Sequence, residues 1–377
     1  MRSSYLFKRA LYFIYAKRGE LFTKELWMTV FRVMKSRFNF WERVSDQEFQ
    51  KNLEIIEQRP WNIHVELTNL CNANCIFCAY QYQTRPHVFM TDEIYEKVLD
   101  EYCEIGGGDF MIEVVVGDPA VDPKFIDRIK QARGRKEIAN IGTITNAIAL
   151  RSADIKDLVS SGLSQLSIST APFEESLYKS IYRNKSYKKV IKNIGNLLEE
   201  NEKAGRPIEI KLCFRSNLSM KETLELSDYQ HICKRGHHTV EFNTDFDTWT
   251  GEIEQKDLLA GMHIRPKSHL DKEPCIWLYD GPIVFADGNV GLCGCRDFNA
   301  DSELIVGNVL ETPLLEIWHS KRVKEIRESF YTQEYPDICK KCTTYANLNL
   351  LRTKPGSQRA TMTQERLLRG ASSTQEA

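Results

Sequence analysis

Residues 62–80 read NIHVELTNLCNANCIFCAY. The first six residues, NIHVEL, are a strand-like run. Cys71, Cys75 and Cys78 then follow within eight residues. Three thiolates are one too few for a closed tetrahedral metal site. A C-x3-C-x2-C loop after a strand can instead wrap three thiolates around one face of an iron–sulfur cube, whose usual protein ligand is cysteine. One iron then stays open to bind a reactant directly. Zinc is the competing occupant, but apart from His87, nine residues on, no Cys or His follows Cys78 closely enough to complete its shell.

Working outward, apolar strand-like runs alternate with helical patterns. FMIEVVV, IANIGTIT, QLSIST, IEIKLCF and TVEFNTDF follow NIHVEL, with helices expected from Thr91–Asp92, near Pro123, over 152–160, over 187–200 and over 221–234. Strands rich in β-branched residues, each followed by a helix, indicate parallel βα units covered on both faces. Six such units over residues 61–255 suit an α/β partial (β/α)6 barrel; a complete eight-unit barrel needs more chain. A Rossmann sheet is the alternative, but no G-x-G-x-x-G follows the first strand.

The chain has 377 residues and a formal net charge of −1, so no global field recruits nucleic acid. No apolar run reaches 18 residues, and no signal-peptide pattern opens the chain. A cytoplasmic setting with reduced thiols is expected, in which eleven cysteines point to metal ligation rather than disulfides. Residues 1–60 read as a helical extension. The first 40 hold nine Lys or Arg, two Glu and ten aromatics. Two amphipathic helices fit this composition, either packed on the main domain or forming an arm for a membrane surface or a protein partner. Residues 256–345 lose the βα rhythm and form a second, cysteine-bearing unit. Residues 346–377 are expected to be a disordered tail, polar from Lys354 onward.

CNANCIFC resembles the C-x3-C-x-Φ-C signature of the radical SAM superfamily, with Phe77 as Φ. The resemblance continues along successive strands. Gly117, Asp118 and Pro119 of VVGDPAVDP match the last three positions of a G-G-E-P-type motif, with Asp for the usual Glu. TITN (Thr143–Asn146) resembles T-T-N-G, with Ala147 in place of Gly. LSIST (Leu166–Thr170) matches the fourth strand, and YRNKSYKKVIKNI the segment after it. The resemblance implies that S-adenosylmethionine (SAM) is the missing ligand, chelating the fourth iron of a [4Fe–4S] cluster through its amino and carboxylate groups. It further implies that one electron, from a flavodoxin- or ferredoxin-type donor, cleaves SAM to a 5′-deoxyadenosyl radical that takes hydrogen from a substrate C–H. Phe77, Gly117, Asp118, Pro119, Thr145, Asn146, Ser167, Ser169 and Arg183 are the implied SAM-binding residues. Asp118 would accept from the methionine amine, and Arg183 would reach the carboxylate.

The later cysteines resemble the SPASM/twitch extension of these enzymes, including its G-N-V and E-I-W helix entry. No Cys follows Cys342, so a full SPASM set with two auxiliary clusters lacks ligands. The shorter twitch form implies one auxiliary [4Fe–4S] cluster on Cys275, Cys293, Cys339 and Cys342; a four-cysteine zinc ribbon is the competing reading. Cys295 is an alternative ligand, a hydrogen-atom donor or a bystander. Twitch relatives act on small hydroxylated molecules such as aminocyclitols. The expected reaction is therefore dehydrogenation of a small sugar or aminocyclitol, of the kind made in antibiotic biosynthesis. Epimerisation, dehydration and peptide maturation are the alternatives. Asp245 and Asp247, at the end of the sixth strand, are the candidate bases or acids.

Overall fold

The computed structural model describes residues 44–352 apart from Val114 and Cys295. The expected helices of residues 1–40, the chain beyond residue 352 and the role of Cys295 lie outside the described residues.

One sheet of nine strands carries the fold, in the order β11-β10-β9-β1-β2-β3-β4-β5-β6. Its first six strands are β1 (Asn62–Val65), β2 (Gly108–Ile112), β3 (Ile138–Thr145), β4 (Gln165–Thr170), β5 (Glu209–Arg215) and β6 (Thr239–Asn243). Each pairs in parallel with the next. Helices cross between them, among them Asp92–Glu104, Phe125–Arg133 and Tyr187–Lys203. Sequential neighbours with no reversal of order exclude a Rossmann sheet, whose order switches direction. The sheet also curls. Trp249, just past the sixth strand, donates its indole N–H to the carbonyl of Phe77 in the loop after β1, at 2.8 Å. Phe246 stacks on Phe77 with ring centroids 5.2 Å apart. Contact between the loops of the first and sixth strands defines a partial barrel.

Side-chain alternation decides which residues face inward. Ile63, Val65, Phe110, Ile112, Leu166, Ile168, Ile210, Leu212 and Phe214 pack outward with Tyr95, Leu99, Val190 and Leu197 of the helices. Burying such side chains contributes about 1.5–3 kcal/mol each. The intervening His64, Glu113, Ser167, Ser169, Lys211, Cys213 and Arg215 therefore face the barrel lumen.

The sixth expected strand breaks at Thr244. Its second half, β7 (Asp245–Phe246), pairs instead with β8 (His263–Ile264) in a separate ribbon. β9 (Ile283–Val284) then adds to the free edge of β1 in parallel, and β10 (Asn289–Gly291) and β11 (Ile305–Asn308) follow antiparallel. The C-terminal unit is thus continuous with the barrel sheet. Residues 346–352 depart from the disordered tail expected of them. They include a turn of 3-10 helix (Leu348–Arg352) whose Leu348 and Leu351 are fully buried beside Phe49, Ile56 and Trp318. The helix Asp46–Gln58 closes this cluster, and Val44 N–H bonds to the Arg352 carbonyl at 2.8 Å.

Candidate active site

Cys71, Cys75 and Cys78 lie in the loop leaving β1, and Cys75 is buried. Burial, reinforced by the Asp118 carboxylate, pushes Cys71 up to about 12. Burial pushes Cys78 up to about 11. Cys75 rises further through burial and the charges of Cys78 and Cys71, so the three sulfurs lie within electrostatic reach of one another. Buried thiols of this kind ionise only when a cation takes the proton's place. The donor set therefore fits an iron–sulfur cluster.

The G-D-P motif lies directly against this loop. Asp118 N–H bonds to the Leu70 carbonyl at 2.8 Å. Gly117 has φ +130°, and a Cβ there would come within 2.9–3.1 Å of the backbone of Thr68, Asn69 and Leu70. Only glycine permits that approach. Pro119 begins a short 3-10 turn. Asp118 is buried and accepts from Thr145 Oγ1 (2.8 and 3.1 Å), Asn146 N–H (2.6 Å) and Ala120 N–H (3.0 Å). Its carboxylate thus locks the G-D-P turn to the T-I-T-N turn. Asn146 reaches from that turn to the Cys71 sulfur (Nδ2 at 3.7 Å) and to Asn72 Oδ1 (2.8 Å). Ala147, where the motif has Gly, adopts the left-handed region with φ 61°.

Phe77 packs between Tyr182 and Phe246. Ser169 bonds to the Tyr182 hydroxyl at 2.9 Å, and Ser167 bonds to Cys213. Arg183 is exposed and left-handed, and donates to Gln81 at 2.9 Å. The cations whose charge acts on the cysteine loop are Arg215 and Arg296, neither among the expected residues. Arg215 donates to Ser169 at 3.3 Å. A signal for it was present: EIKLCFR alternates, leaving Lys, Cys and Arg on one face.

The C-terminal cysteines also gather. Burial and then the charges of Cys275 and Cys342 push Cys339 up. Cys293 packs in the same cluster. Backbone N–H groups of Thr344 (3.2 Å) and Ala346 (3.5 Å) point at the sulfurs of Cys342 and Cys275. Such N–H···S contacts support thiolates and tune cluster potential.

Asp245 and Asp247 do not form a pair of open carboxylates. Asp245 is exposed on the β7–β8 ribbon. Asp247 is buried and accepts from Trp249 N–H and the Thr343 hydroxyl, and it pairs with Arg296 at 2.7 Å. Arg296 also lies 4.7 Å over the Trp249 ring. Trp249 and Thr250 are both left-handed, at φ 47° and 61°, a strain of about 1–3 kcal/mol each. The unit Asp247–Trp249–Arg296–Thr343 joins the first cysteine loop to the neighbours of Cys342 and Cys295.

In the lower lumen, His64 sits between Glu113 (Nδ1–Oε2, 3.1 Å) and Asp280 (Nε2–Oδ2, 3.2 Å). Burial disfavours its charge, but the two carboxylates outweigh that and lift the imidazole to about 9 from 6.5. A group raised in this way stabilises the fold fully below pH 6.5, and the contribution is lost as pH rises through about 9. The gap corresponds to about 3 kcal/mol. His64→Gln should flatten this part of the stability curve, measured by chemical denaturation at pH 6.5 and 9.5. An unchanged difference between the two pH values would refute the ion-paired imidazolium.

Among the described residues no helix is long and apolar enough to cross a membrane. Comparison with known proteins gives a Radical SAM superfamily match over residues 65–206 and an iron–sulfur cluster-binding domain, SPASM, over residues 275–343. GTP 3',8-cyclase of Clostridium perfringens is 28% identical over 168 residues, 44% of this chain and 50% of that protein. Human molybdenum cofactor biosynthesis protein 1 is 23% identical over 169 residues, 44% of this chain and 26% of that one. The chain thus spans about half or less of the curated relatives it matches. Among solved structures, SuiB of Streptococcus suis bound to precursor peptide SuiA aligns with a TM-score of 0.55 at 15% identity, covering 82% of this chain and 77% of SuiB. BtrN in complex with AdoMet and 2-DOIA aligns at 0.50 and 15% identity, covering 75% and 92%. These likenesses share the fold. The two domains imply a [4Fe–4S] cluster, an auxiliary cluster and SAM, and the cysteine sets described fit them. With the cysteine loop after β1, the G-D-P and T-I-T-N turns beside it and both domain matches in register, the chain belongs to the radical SAM superfamily and carries a C-terminal SPASM domain.

Proposed function

We propose that this radical SAM enzyme removes hydrogen from a small polyhydroxylated substrate, a sugar or aminocyclitol, with net oxidation of a carbinol. The observation that carries the reading is the lumen wall. The outward faces of β4 and β5 are apolar, while the inward faces present Ser167, Ser169, Lys211 and Arg215, with Glu241 3.8 Å from Lys211 on β6. A wall of hydroxyls and paired charges recognises hydroxyl and amino groups and leaves little for an apolar ligand.

Cys71, Cys75 and Cys78 would hold the SAM-binding cluster, and Cys275, Cys293, Cys339 and Cys342 the auxiliary one. The bound groups supply a 5′-deoxyadenosyl radical and an electron acceptor. The chain's own residues do the rest. Gly117 lets the G-D-P turn approach the cysteine loop. Asp118 fixes that turn to Thr145 and Asn146, so that Pro119 and the neighbouring backbone face SAM. Phe77 is held between Tyr182 and Phe246 near the expected adenine position. Ser167, Ser169 and Arg183 remain the candidates for the polar end of SAM, with Arg215 added beside Ser169.

Anaerobic incubation of the reconstituted protein with SAM, a reductant and candidate aminocyclitols tests this. Substrate deuterated at the reacting carbon should pass its label to 5′-deoxyadenosine, and the product should be lighter than unlabelled substrate by two hydrogens. Loss of water would show dehydration. Solvent deuterium gained at carbon would show epimerisation. Consumption of a ribosomal peptide and of no polyol would overturn the substrate class.

A further inference from the structure

The helix Glu175–Tyr182 ends against the first cysteine loop. Its last two carbonyls accept from that loop, Ile181 from Ile76 N–H at 2.9 Å and Tyr182 from Asn74 N–H at 3.3 Å. The two donors flank Cys75. Arg183, left-handed at φ 48°, ends the helix at this point. Tyr178 lies three and four residues before the two carbonyl-bearing residues, on the same helix face. Its ring stacks on Tyr182 with centroids 5.1 Å apart and planes within 5°. Tyr182 in turn meets Phe77 of the loop edge-on at 5.7 Å. Tyr178, Tyr182, Cys75 and Ile76 are buried in one core.

Tyr178 is 1% exposed, and its hydroxyl is buried with no hydrogen-bond partner. Other buried tyrosines are not left so. Tyr95 donates to the Arg128 carbonyl and Tyr102 to the Trp61 carbonyl, both at 2.6 Å; Tyr182 bonds to Ser169, and Tyr187 donates to Asp228. An unsatisfied buried hydroxyl costs about 1–3 kcal/mol, and phenylalanine would fill the same space without it. After burial, the charges that act on the Tyr178 hydroxyl are those of Cys75, Asp118 and Cys71, in that order. On Tyr182 they are chiefly those of Cys75 and Arg215. The stacked rings therefore set one hydroxyl on the Cys71–Asp118 side of the loop and the other on the Ser169–Arg215 side. All of these influences push Tyr178 above the usual phenol range, so it remains an O–H donor. Asp118 already accepts from Thr145, Ala120 and Asn146. The acceptors left for Tyr178 are those of the group that the three cysteines hold.

We propose that the Tyr178 hydroxyl donates a hydrogen bond to a sulfur of the cluster held by Cys71, Cys75 and Cys78, and so raises the potential at which that cluster is reduced. Reduction adds negative charge, and a donor fixed beside that charge favours the reduced form. Hydrogen bonds to the sulfurs are among the features that set such potentials. The role concerns the cluster alone and holds for any substrate class.

The test uses the full chain reconstituted with both clusters, without SAM, as wild type, Tyr178→Phe and Tyr182→Phe. Redox titration followed by electron paramagnetic resonance reads each cluster, the auxiliary signal being identified in the variant with Cys71, Cys75 and Cys78 replaced by alanine. Y178F should keep the wild-type iron content and make reduction of the first cluster about tenfold less favourable, a fall of about 59 mV for one electron. The auxiliary potential should not move. Y182F, whose hydroxyl already has a partner in Ser169, should shift the first cluster less. Electron–nuclear double resonance on the reduced cluster, with protein reconstituted in H2O or D2O, reads the bond directly: the wild type should show a strongly coupled exchangeable proton that Y178F lacks. An unshifted first-cluster potential in Y178F overturns the proposal, as does an equal shift in Y182F. A shift that appears only once SAM is added also overturns it, making SAM the acceptor. The wild-type spectrum decides even where the variant loads iron poorly: no strongly coupled exchangeable proton means no such bond.

Discussion

Replacing Cys71, Cys75 and Cys78 together by alanine should remove about half of the bound iron, roughly four of eight atoms by cluster stoichiometry, and all reductive cleavage of SAM. The three thiols are the protein's whole contribution to one cluster, whose remaining iron must stay open for SAM. The C-terminal set should keep its iron, because its cysteines sit in a separate packed cluster with Trp318, Phe330 and Leu348. Iron analysis, electron paramagnetic resonance and 5′-deoxyadenosine measurement check this. SAM cleavage surviving the triple replacement, or zinc at the C-terminal cysteines of the wild type, would refute it.

Asp247→Ala should cost about 3–5 kcal/mol, the usual penalty for breaking a largely buried ion pair by removing one member. Arg296 keeps only 18% of its side-chain surface exposed and Asp247 6%. Water therefore replaces the lost carboxylate poorly. The change also strands the Thr343 hydroxyl and the Trp249 N–H, while Trp249 and Thr250 stay in strained left-handed geometry. Asp247→Asn should cost less, since an amide oxygen can still accept from two of these donors. Chemical denaturation under anaerobic conditions measures both. A cost below about 1 kcal/mol for the alanine variant would show that the junction relaxes freely.

The βα alternation and both cysteine sets were legible because they are local patterns. A strand reads as a run of β-branched residues, and a metal loop reads as a spacing. Thr91 caps its helix as the sequence suggests, accepting from Ile94 N–H at 3.3 Å. What escaped the sequence depends on which distant segments meet. Asp247 has the profile of a strand-end catalytic carboxylate, but its partners come from residues 296 and 343. His64 reads as one polar residue in an apolar strand, and only the fold brings Glu113 and Asp280 to its two nitrogens. Residues 346–352 (ANLNLLR) border a polar stretch, and their leucines alone do not reveal that Leu348 and Leu351 complete a core begun by the helix at Asp46.

The placement of β9 has a consequence for how the protein is made. β1, which carries the first cysteine loop, ends at Val65, and the strand that covers its free edge begins at Ile283. At ribosomal rates of about 5–20 residues per second, the partner is synthesised roughly 10–45 s after β1. Throughout that interval a short apolar strand offers unpaired N–H and C=O groups to any other nascent chain. The barrel half therefore waits for the cysteine-bearing half to emerge before its first strand is sheltered.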